Sequence, residues 1–273
     1  MTAHGASREA LGAARDQFDA LTDQASSDPA QLAGELAAVT ALLHREVSLR
    51  RVLTDPAQAA DAKADLAARL FGGQVGGDTV DLLSGMVRSR WSQSRDLVDA
   101  LEELADTADL AAAQRSGTLD DVEDELFRFG RIVSADAGLR AALSERNAPA
   151  AAKGELLHRL LDGRADAVTE RLVIRLVTHP RGRSLEAGLE ALSALAAERR
   201  NRMVAVVTSA VPLSDTQKQR LAQGLSKLYG RQIRLHLDVD PEVLGGIRVQ
   251  VGDEVINGSI ADRIEEATRR MAA

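Results

Sequence analysis

Leu49-Arg50-Arg51-Val52-Leu53 returns 90 positions later as Leu139-Arg140-Ala141-Ala142-Leu143, and the similarity continues without a gap. The further identities at this offset are Lys63 and Lys153, Leu66 and Leu156, Arg69 and Arg159, Leu70 and Leu160, Gly73 and Gly163, Thr79 and Thr169, Leu82 and Leu172, and Val87 and Val177. After a slip of two residues, Leu101-Glu102 matches Leu189-Glu190. A constant period indicates a duplicated structural unit. Chance similarity between helices rich in Ala, Leu and Arg is the alternative, and the ungapped register favours duplication.

The duplicated unit is predicted to be helical. Between residue 8 and about residue 202, apolar residues recur three and four positions apart, as in Leu32, Leu36, Val39, Leu42 and Leu43. This spacing places them on one face of a helix. Breaks occur at Asp28-Pro29, Asp55-Pro56, Gly72-Gly73, Gly76-Gly77, Ser116-Gly117, Ala148-Pro149 and His179-Pro180. The chain is therefore predicted to be mainly α, with one helical bundle in residues 1–113 and a second, duplicated bundle in residues 114–202.

The period changes in residues 203–273, which are predicted to form a small α/β domain. A β-branched run in residues 203–208 predicts a strand, and Ser214 and Gln217 stand at capping-box spacing at the start of a helix. Alternating apolar residues in 233–239 and in 247–251 predict two further strands that pair like a hairpin. Ser259 is predicted to begin a closing helix that ends near Met271.

Composition narrows the possible functions. The chain of 273 residues has no cysteine, which excludes disulfides and thiolate metal sites. Its net charge of −7 argues against nucleic acid as a partner, so the partners should be proteins. No apolar run is long enough for direct membrane insertion, and the first residues lack the pattern of a secretory signal. The five histidines lack the spacing of a metal site, and neither a catalytic residue nor a cofactor is predicted.

The most specific stretches lie near the C-terminus. One reads Val239-Asp240-Pro241-Glu242-Val243-Leu244-Gly245-Gly246-Ile247-Arg248-Val249, and another reads Val251-Gly252-Asp253-Glu254-Val255-Ile256-Asn257-Gly258-Ser259-Ile260. Upstream stands Thr208-Ser209-Ala210-Val211-Pro212-Leu213-Ser214. In this order they resemble the C-terminal signature of the ATP synthase delta (oligomycin-sensitivity-conferring) subunit family. Asn257 departs from the pattern, since members usually carry Asp before Gly-Ser, but Asn serves the same turn chemistry.

The resemblance assigns structural or partner-binding roles to the signature residues. These are Asp240, Pro241, Gly245, Gly246, Gly252, Asp253, Gly258 and Ser259. The residues alone favour a simpler reading, in which Gly245-Gly246 allows a bend or bulge between strands and Asp240-Pro241 forms a turn. Asp240 and Glu242 have no flanking acid or histidine motif, so a catalytic pair is not supported.

The family implies a mechanical function. Its N-terminal bundle holds N-terminal helices of the alpha subunits at the crown of the catalytic head, and its C-terminal domain meets the b-type stalk. The resemblance therefore implies a non-catalytic stator of the rotary F-type ATP synthase, present as a single copy on the cytoplasmic face of the cell membrane. A free-standing helical-repeat adaptor would also explain the duplication, but it would not explain the signature. An enzyme based on the α/β domain is the third and weakest alternative.

One departure from the family concerns length. Members are usually about a hundred residues shorter and have one bundle, so the surplus equals about one repeat. The first copy is predicted to be the more complete, because a helix over residues 8–21 precedes it and offers a possible partner-facing side with Leu11 and Phe18. The second copy is joined directly to the α/β domain. Trp91 is predicted either to pack in the core or to anchor a partner.

Overall fold

The computed structural model describes residues 5–24, 26–145, 147–200, 202–229, 232–240, 246–251 and 254–257. It contains two compact units, Met1–Arg199 and Arg200–Ala273. The first unit is helical throughout its regular structure, and the second combines helix and strand. The predicted fold class, mainly α with a small C-terminal α/β region, is confirmed.

Eleven helices build the described part of the first unit. They are α1 (Gly5–Thr22), α2 (Pro29–Arg45), α3 (Val47–Leu53), α4 (Ala60–Phe71), α5 (Gly77–Arg88), α6 (Ser94–Ser116), α7 (Leu119–Ala135), α8 (Ala137–Ser144), α9 (Ala150–Leu161), α10 (Ala167–Thr178) and α11 (Leu185–Arg200). The predicted breaks fall between them, and the Gly72-Gly73 and Gly76-Gly77 pairs lie in or beside the connection from α4 to α5.

The structure repeats with the same period as the sequence. Helices α2, α4 and α5 begin and end 90 positions before α7, α9 and α10. The burial repeats as well, since Leu53 and Leu143 are both buried, as are Lys63 and Lys153. A duplicated apolar and polar pattern therefore forms the same series of helices twice.

Helix α6 takes part in both arrangements. A shift of 90 positions carries α1 onto residues 95–112, which lie inside α6. The buried face of α1, formed by Ala10, Ala14 and Phe18, then falls on three residues of α6 that are also buried: Ala100, Leu104 and Ala108. Helix α6 is thus the last helix of the first repeat and the first helix of the second. Helix α6 thus stands before the second copy as α1 stands before the first, and which copy forms the more complete bundle stays a prediction.

The cores of the two repeats meet within α6. Residues of α6 up to Ala108 belong to a first hydrophobic cluster with α1 to α5, whereas Leu110 and Ala113 belong to a second cluster with α7 to α11. The helix ends at Ser116, and Gly117 closes it in the left-handed conformation with a φ of 77°, which glycine adopts without a Cβ clash. The division into domains at residue 113 stays a prediction.

A part-buried carboxylate interaction is duplicated with the repeat. Glu35 of α2 accepts hydrogen bonds from the backbone N–H of Gly76 at 2.9 Å and from the Thr79 hydroxyl, at the start of α5. Glu125 of α7 accepts the equivalent bonds from Asp166 N–H at 2.9 Å and from the Thr169 hydroxyl at 2.5 Å. Carboxylates are favoured at a helix N-terminus, where N–H groups lack partners within the helix.

The pKa of Glu35 reflects these contacts. Burial raises the pKa, but hydrogen bonds from Thr79, Gln31 and Gly76 outweigh it and hold the pKa of Glu35 below its ordinary value. The carboxylate therefore stays ionised and joins α2 to the start of α5. A residue of one helix thus caps another helix of the same repeat.

The second unit is a four-stranded sheet with a helix. Its elements are β1 (Arg202–Ser209), α12 (Asp215–Tyr229), β2 (Gln232–Val239), β3 (Ile247–Val251) and β4 (Glu254–Asn257), and the strand order is β2-β1-β3-β4. The predicted capping box is confirmed, because the Ser214 backbone N–H donates to Gln217 Oε1 at 2.9 Å and Gln217 N–H donates to Ser214 Oγ at 3.4 Å. The closing helix predicted from Ser259 lies outside the described residues.

The predicted hairpin of β2 and β3 is wrong. Strand β1 lies between them, parallel to β2 and antiparallel to β3, and β3 pairs instead with β4. Alternation identifies a strand but leaves its neighbour open. Here β1 takes the central position, where Ala205 and Val207 are buried with Leu225 of α12 and Ile233 of β2.

The duplicated carboxylates generate a stability prediction. Glu35→Ala and Glu125→Ala should each lower the free energy of unfolding by about 1–3 kcal/mol, because each leaves a part-buried hydroxyl and a helix N–H without an acceptor. Urea unfolding monitored by circular dichroism measures the effect. Glu190→Ala, at an exposed position on α11, is the control and should stay within about 0.5 kcal/mol of the parent chain. Losses at Glu35 and Glu125 no larger than that of the control would contradict the assignment.

Candidate partner-binding surfaces

Helix α6 carries four acidic residues on one face. Asp99, Glu102, Asp106 and Asp109 follow one another at spacings of three or four, which aligns them along the helix. Glu102, Asp106 and Asp109 are buried, with Asp109 only 1% exposed. Buried charges are costly unless they are paired, so the opposing residues decide whether this face is stable.

Four arginines from the second repeat pair with this face. Arg175 of α10 lies 2.5 Å from Asp106 and 2.6 Å from Asp109, and Arg171 of the same helix lies 2.8 Å from Asp109. The connection from α10 to α11 contributes two more arginines. Arg181 pairs with Asp99 and Glu102, and Arg183 pairs with Glu102. We name the four acids of α6 and these four arginines the α6 charge ladder. The Nε of Arg181 lies 2.7 Å from Glu102 as an ion pair whose angle is not that of a hydrogen bond.

The ladder leaves one carboxyl with an unusual proton affinity. Burial raises the pKa of Asp106 from an ordinary 3.8 to about 7, and the nearby Glu102 and Asp109 act in the same direction against the attraction of Arg175. The same contacts raise the pKa of Arg175, so the guanidinium remains charged. Burial, with the charges of Glu102 and Asp109, thus leaves Asp106 partly protonated near neutral pH.

The corresponding helix pair of the first repeat is held differently. There α1 packs against α5, and Gln17 Nε2 donates to the Asp81 backbone carbonyl at 3.0 Å. Gly85, which corresponds to Arg175, gives Gln17 room, because a Cβ at that glycine would meet Gln17 Oε1. The sequence repeat therefore preserves the helix packing but not the charges, and the ladder is particular to the α6–α10 junction.

The three equivalent helices α1, α6 and α11 also meet at their ends. Arg199 of α11 donates from Nε to Gln114 Oε1 of α6 at 2.6 Å and lies 3.8 Å from Asp19 of α1. Arg115 of α6 donates to the backbone carbonyls of Thr22 at 2.6 Å and Gln24 at 2.8 Å, in the connection between α1 and α2. These contacts join the first repeat to the last helix of the second.

The predicted partner-facing side of α1 is covered in this structure. Phe18 is 1% exposed inside the first cluster, and Leu11 is partly buried against the same cluster. The two residues share a side of the helix because they lie seven positions apart, as the sequence predicts. That side is occupied by the chain's own core, which corrects the expectation that Phe18 faces a partner.

Two of the signature residues lie among those described. The Asp240 backbone N–H donates to the Ser209 carbonyl at 3.0 Å, where β2 ends. Gly246 has a φ of 87°, a conformation that favours glycine, directly before β3. Pro241, Gly245, Gly252, Asp253, Gly258 and Ser259 lie outside the described residues. Partner-binding roles for the signature residues stay predictions.

Trp91 and His158 both contact other residues of the chain. Trp91 is buried, and its indole N–H donates to the Met86 carbonyl at 2.8 Å, so it packs in the core. His158 is exposed and contacts Glu170 at 2.6 Å, which raises the pKa of His158. Within the described ranges, no cluster of acids and histidines is placed to hold a metal ion. In the same ranges, no helix combines the length and the apolar character that crossing a membrane requires.

An exposed apolar surface is found on α7. Phe127 is 59% exposed and Ile132 is 54% exposed, and Arg128 and Arg131 lie between them on the same outer face. We name these four residues the α7 surface. Val211 and Leu228 are exposed apolar residues of the second unit. Exposed apolar side chains on a helix face are candidates for partner contact.

The family model described as the ATP synthase delta (OSCP) subunit matches residues 107–271. The chain belongs to this family. The match begins inside α6 and covers the second repeat and the α/β unit. It confirms the family predicted from the C-terminal signature.

Similar proteins extend the match to the whole chain. An ATP synthase subunit delta from Streptomyces avermitilis is 77% identical over 273 residues, which cover 100% of both chains. The Streptomyces griseus protein of that name is 74% identical over 98% of this chain and 99% of its own, and the one from Acidothermus cellulolyticus is 48% identical over 98% and 99%. Both repeats are therefore present in proteins named as delta subunits.

A prediction concerns Arg175 at the centre of the α6 charge ladder. Arg175→Leu should lower the free energy of unfolding by about 3–5 kcal/mol, because it leaves Asp106 without its cation in a buried setting. Arg128→Leu is the matched control, since Arg128 forms only an exposed pair with Asp124 and its loss should cost at most about 1 kcal/mol. Adding Asp106→Asn should recover part of the loss at Arg175. Equal, small losses in Arg175→Leu and Arg128→Leu would show that the ladder contributes no more than a surface pair.

A second prediction concerns pH. The folded chain holds the Asp106 proton more tightly than the unfolded chain, so the stability that this carboxyl contributes is full below about pH 4 and is lost as the pH rises towards 7. In Asp106→Asn this loss is absent. The free energy of unfolding of the variant should therefore rise relative to the parent between pH 4.5 and 7 and level off above. Parallel stability curves for the two proteins would mean that Asp106 titrates normally.

Proposed function

We propose that this chain is the peripheral-stalk subunit of an F-type ATP synthase, linking the alpha subunits of the catalytic head to the b-type stalk. The observation that carries the proposal is the family match over residues 107–271 together with delta-subunit relatives that cover the whole chain. In this function the chain is a single, non-catalytic copy on the cytoplasmic face of the membrane. It holds the head still while the rotor turns.

The helical unit has the properties that a static link needs. Resistance to torque requires that force applied to one bundle reach the other without a flexible hinge. Helix α6 supplies this continuity, because its 23 residues lie in the first core at one end and in the second core at the other. The α6 charge ladder and Arg199 add contacts between the repeats that do not depend on the connecting loop. These features support a load-bearing role for both bundles.

The two repeats differ in their relation to the family. The family model spans the second repeat and the α/β unit and leaves most of the first repeat outside. We infer that the second repeat occupies the position of the usual bundle, beside the alpha subunits, and that the α/β unit meets the b-type stalk. The first repeat is then an extension of the head-facing bundle, added through α6. The free-standing adaptor is disfavoured, since the delta-subunit relatives include both repeats.

A coupling experiment tests the proposal. Membrane vesicles from cells that lack this chain should retain ATP hydrolysis by the head but lose ATP-driven proton pumping, because the head can then turn with the rotor. Purified full-length chain should restore pumping when it is added back. Fluorescence quenching of a pH-sensitive dye reports pumping, and phosphate release reports hydrolysis. Full pumping by vesicles that lack the chain would exclude a stator role.

A further inference from the structure

Asp106 has less positive charge beside it than its two buried neighbours on α6. Glu102 and Asp109 each contact two arginines of the α6 charge ladder. Among the described residues, Asp106 contacts only Arg175, and Arg175 is shared with Asp109. An ionised carboxylate taken out of water needs close compensation by positive charge. The ladder is therefore least favourable at Asp106 when all of its acids are charged.

The charges nearest to Asp106 are those of the ladder itself. Arg175 of α10, with Glu102 and Asp109 of α6, acts on the pKa of Asp106. The connection from α10 to α11 adds His179, which feels the charges of Glu102 and Arg181. Burial holds the pKa of His179 below its ordinary 6.5, so this imidazole is neutral over most of the range in which Asp106 changes charge.

The helices around the junction hold further charged groups. His44 of α2 lies near His179. The others are in contacts of their own: Arg15 of α1 with Glu103, Glu125 of α7 with the start of α10, and His158 of α9 with Glu170 of α10. The hydrogen bond to Glu170 raises the pKa of His158, so His158 also changes charge near neutral pH. An experiment on Asp106 must separate it from this exposed pair.

Separation of α10 from α6 would return Asp106 to water. The pKa of Asp106 is about 7 in the closed junction, against an ordinary value of 3.8. Protons therefore favour the closed junction, and their contribution is full below about pH 4 and is lost as the pH rises through 7. Between pH 6 and 8, this linkage raises the equilibrium constant for opening about tenfold.

The equivalent junction of the first repeat has no such dependence. There Gln17 of α1 donates to the Asp81 backbone carbonyl, and neither group titrates. Gly85 stands at the position that corresponds to Arg175. The two repeats also have separate hydrophobic clusters. A change of pH near neutrality thus acts on the packing of the second repeat through a residue that the first repeat does not use.

We propose that the junction of α6 and α10 is a pH-sensitive switch built into the second repeat. With a proton on Asp106, α10 and the connection that follows it stay packed against α6. Without that proton, this segment separates from α6 more often, while the first core stays closed. The inference goes beyond the stator function, because the switch is a property of this chain alone. Within that proposed function, it makes the second bundle stiffest when the surrounding solution is acidified.

Thiol labelling of the isolated full-length chain tests the switch. The chain has no cysteine, so Val177→Cys places a single buried thiol on α10, and Val87→Cys places the matched thiol on α5, 90 positions earlier. The labelling rate, divided by that of the unfolded variant at the same pH, gives the equilibrium constant for opening. For Val177→Cys this constant should rise about tenfold between pH 6 and 8. At pH 8 it should exceed that of Val87→Cys, because local opening leaves the first core intact.

Two further substitutions identify the titrating group. Asp106→Asn, added to Val177→Cys, should hold the opening constant within about twofold between pH 6 and 8, because the group that binds the proton is gone. Glu170→Gln, which breaks the pair with His158, should leave the tenfold rise in place. A rise that persists in Asp106→Asn would overturn the proposal. So would an opening constant at position 177 no larger than that at position 87.

Hydrogen exchange of the cysteine-free parent chain gives an independent measurement. Exchange of the α10 amides, corrected for the intrinsic rate at each pH, should show the same rise of about tenfold, and Asp106→Asn should remove it. Exchange of α10 only through complete unfolding, at the same free energy as α2, would contradict a separate opening. Both measurements use the isolated chain, so their failure is distinct from failure of the stator function, which the vesicle experiment tests.

Discussion

The helical unit depends on one helix that belongs to two cores. Helix α6 buries residues in both clusters, and it can do so only because the acids on its face meet arginines of the second repeat. Without Arg175, Asp106 would lose its cation in a buried position, and the free energy of unfolding would fall by about 3–5 kcal/mol. The arrangement of the second repeat therefore rests on paired charges as well as on apolar packing. The first repeat uses packing and a glutamine at the equivalent junction.

Much of the helical fold follows from the sequence. The constant offset from Leu49 and Leu139 predicts two equivalent units, and the apolar spacing and the Gly and Pro breaks predict most helix ends. The sharing of α6 is harder to see, because α1 and α6 match in burial rather than in residue identity. Phe18 corresponds to Ala108, and Ala14 to Leu104. The carboxylate pair could have been found, since Glu35 and Glu125 keep the same offset upstream of the quoted match.

Two other features could not be read from the sequence. The α6 charge ladder pairs residues more than 60 positions apart, and a run of acids and arginines on amphipathic helices is ordinarily solvated. The order of strands was likewise open, because alternation in 233–239 and 247–251 identifies strands without naming their neighbours. The C-terminal signature, by contrast, predicts the family correctly, since it depends on residue order rather than on tertiary pairing. The model of the family then matched the region from α6 to the C-terminus.

The sharing of α6 affects how such a chain can be lengthened by duplication. Because the last helix of one repeat is also the first of the next, a 90-residue duplication adds five helices and creates no free junction. Helices α1, α6 and α11 thus take equivalent places in the series of helices. A third copy inserted with the same period would use α11 as its first helix. Removal of one copy, by contrast, would remove one of the two groups of helices that pack against α6.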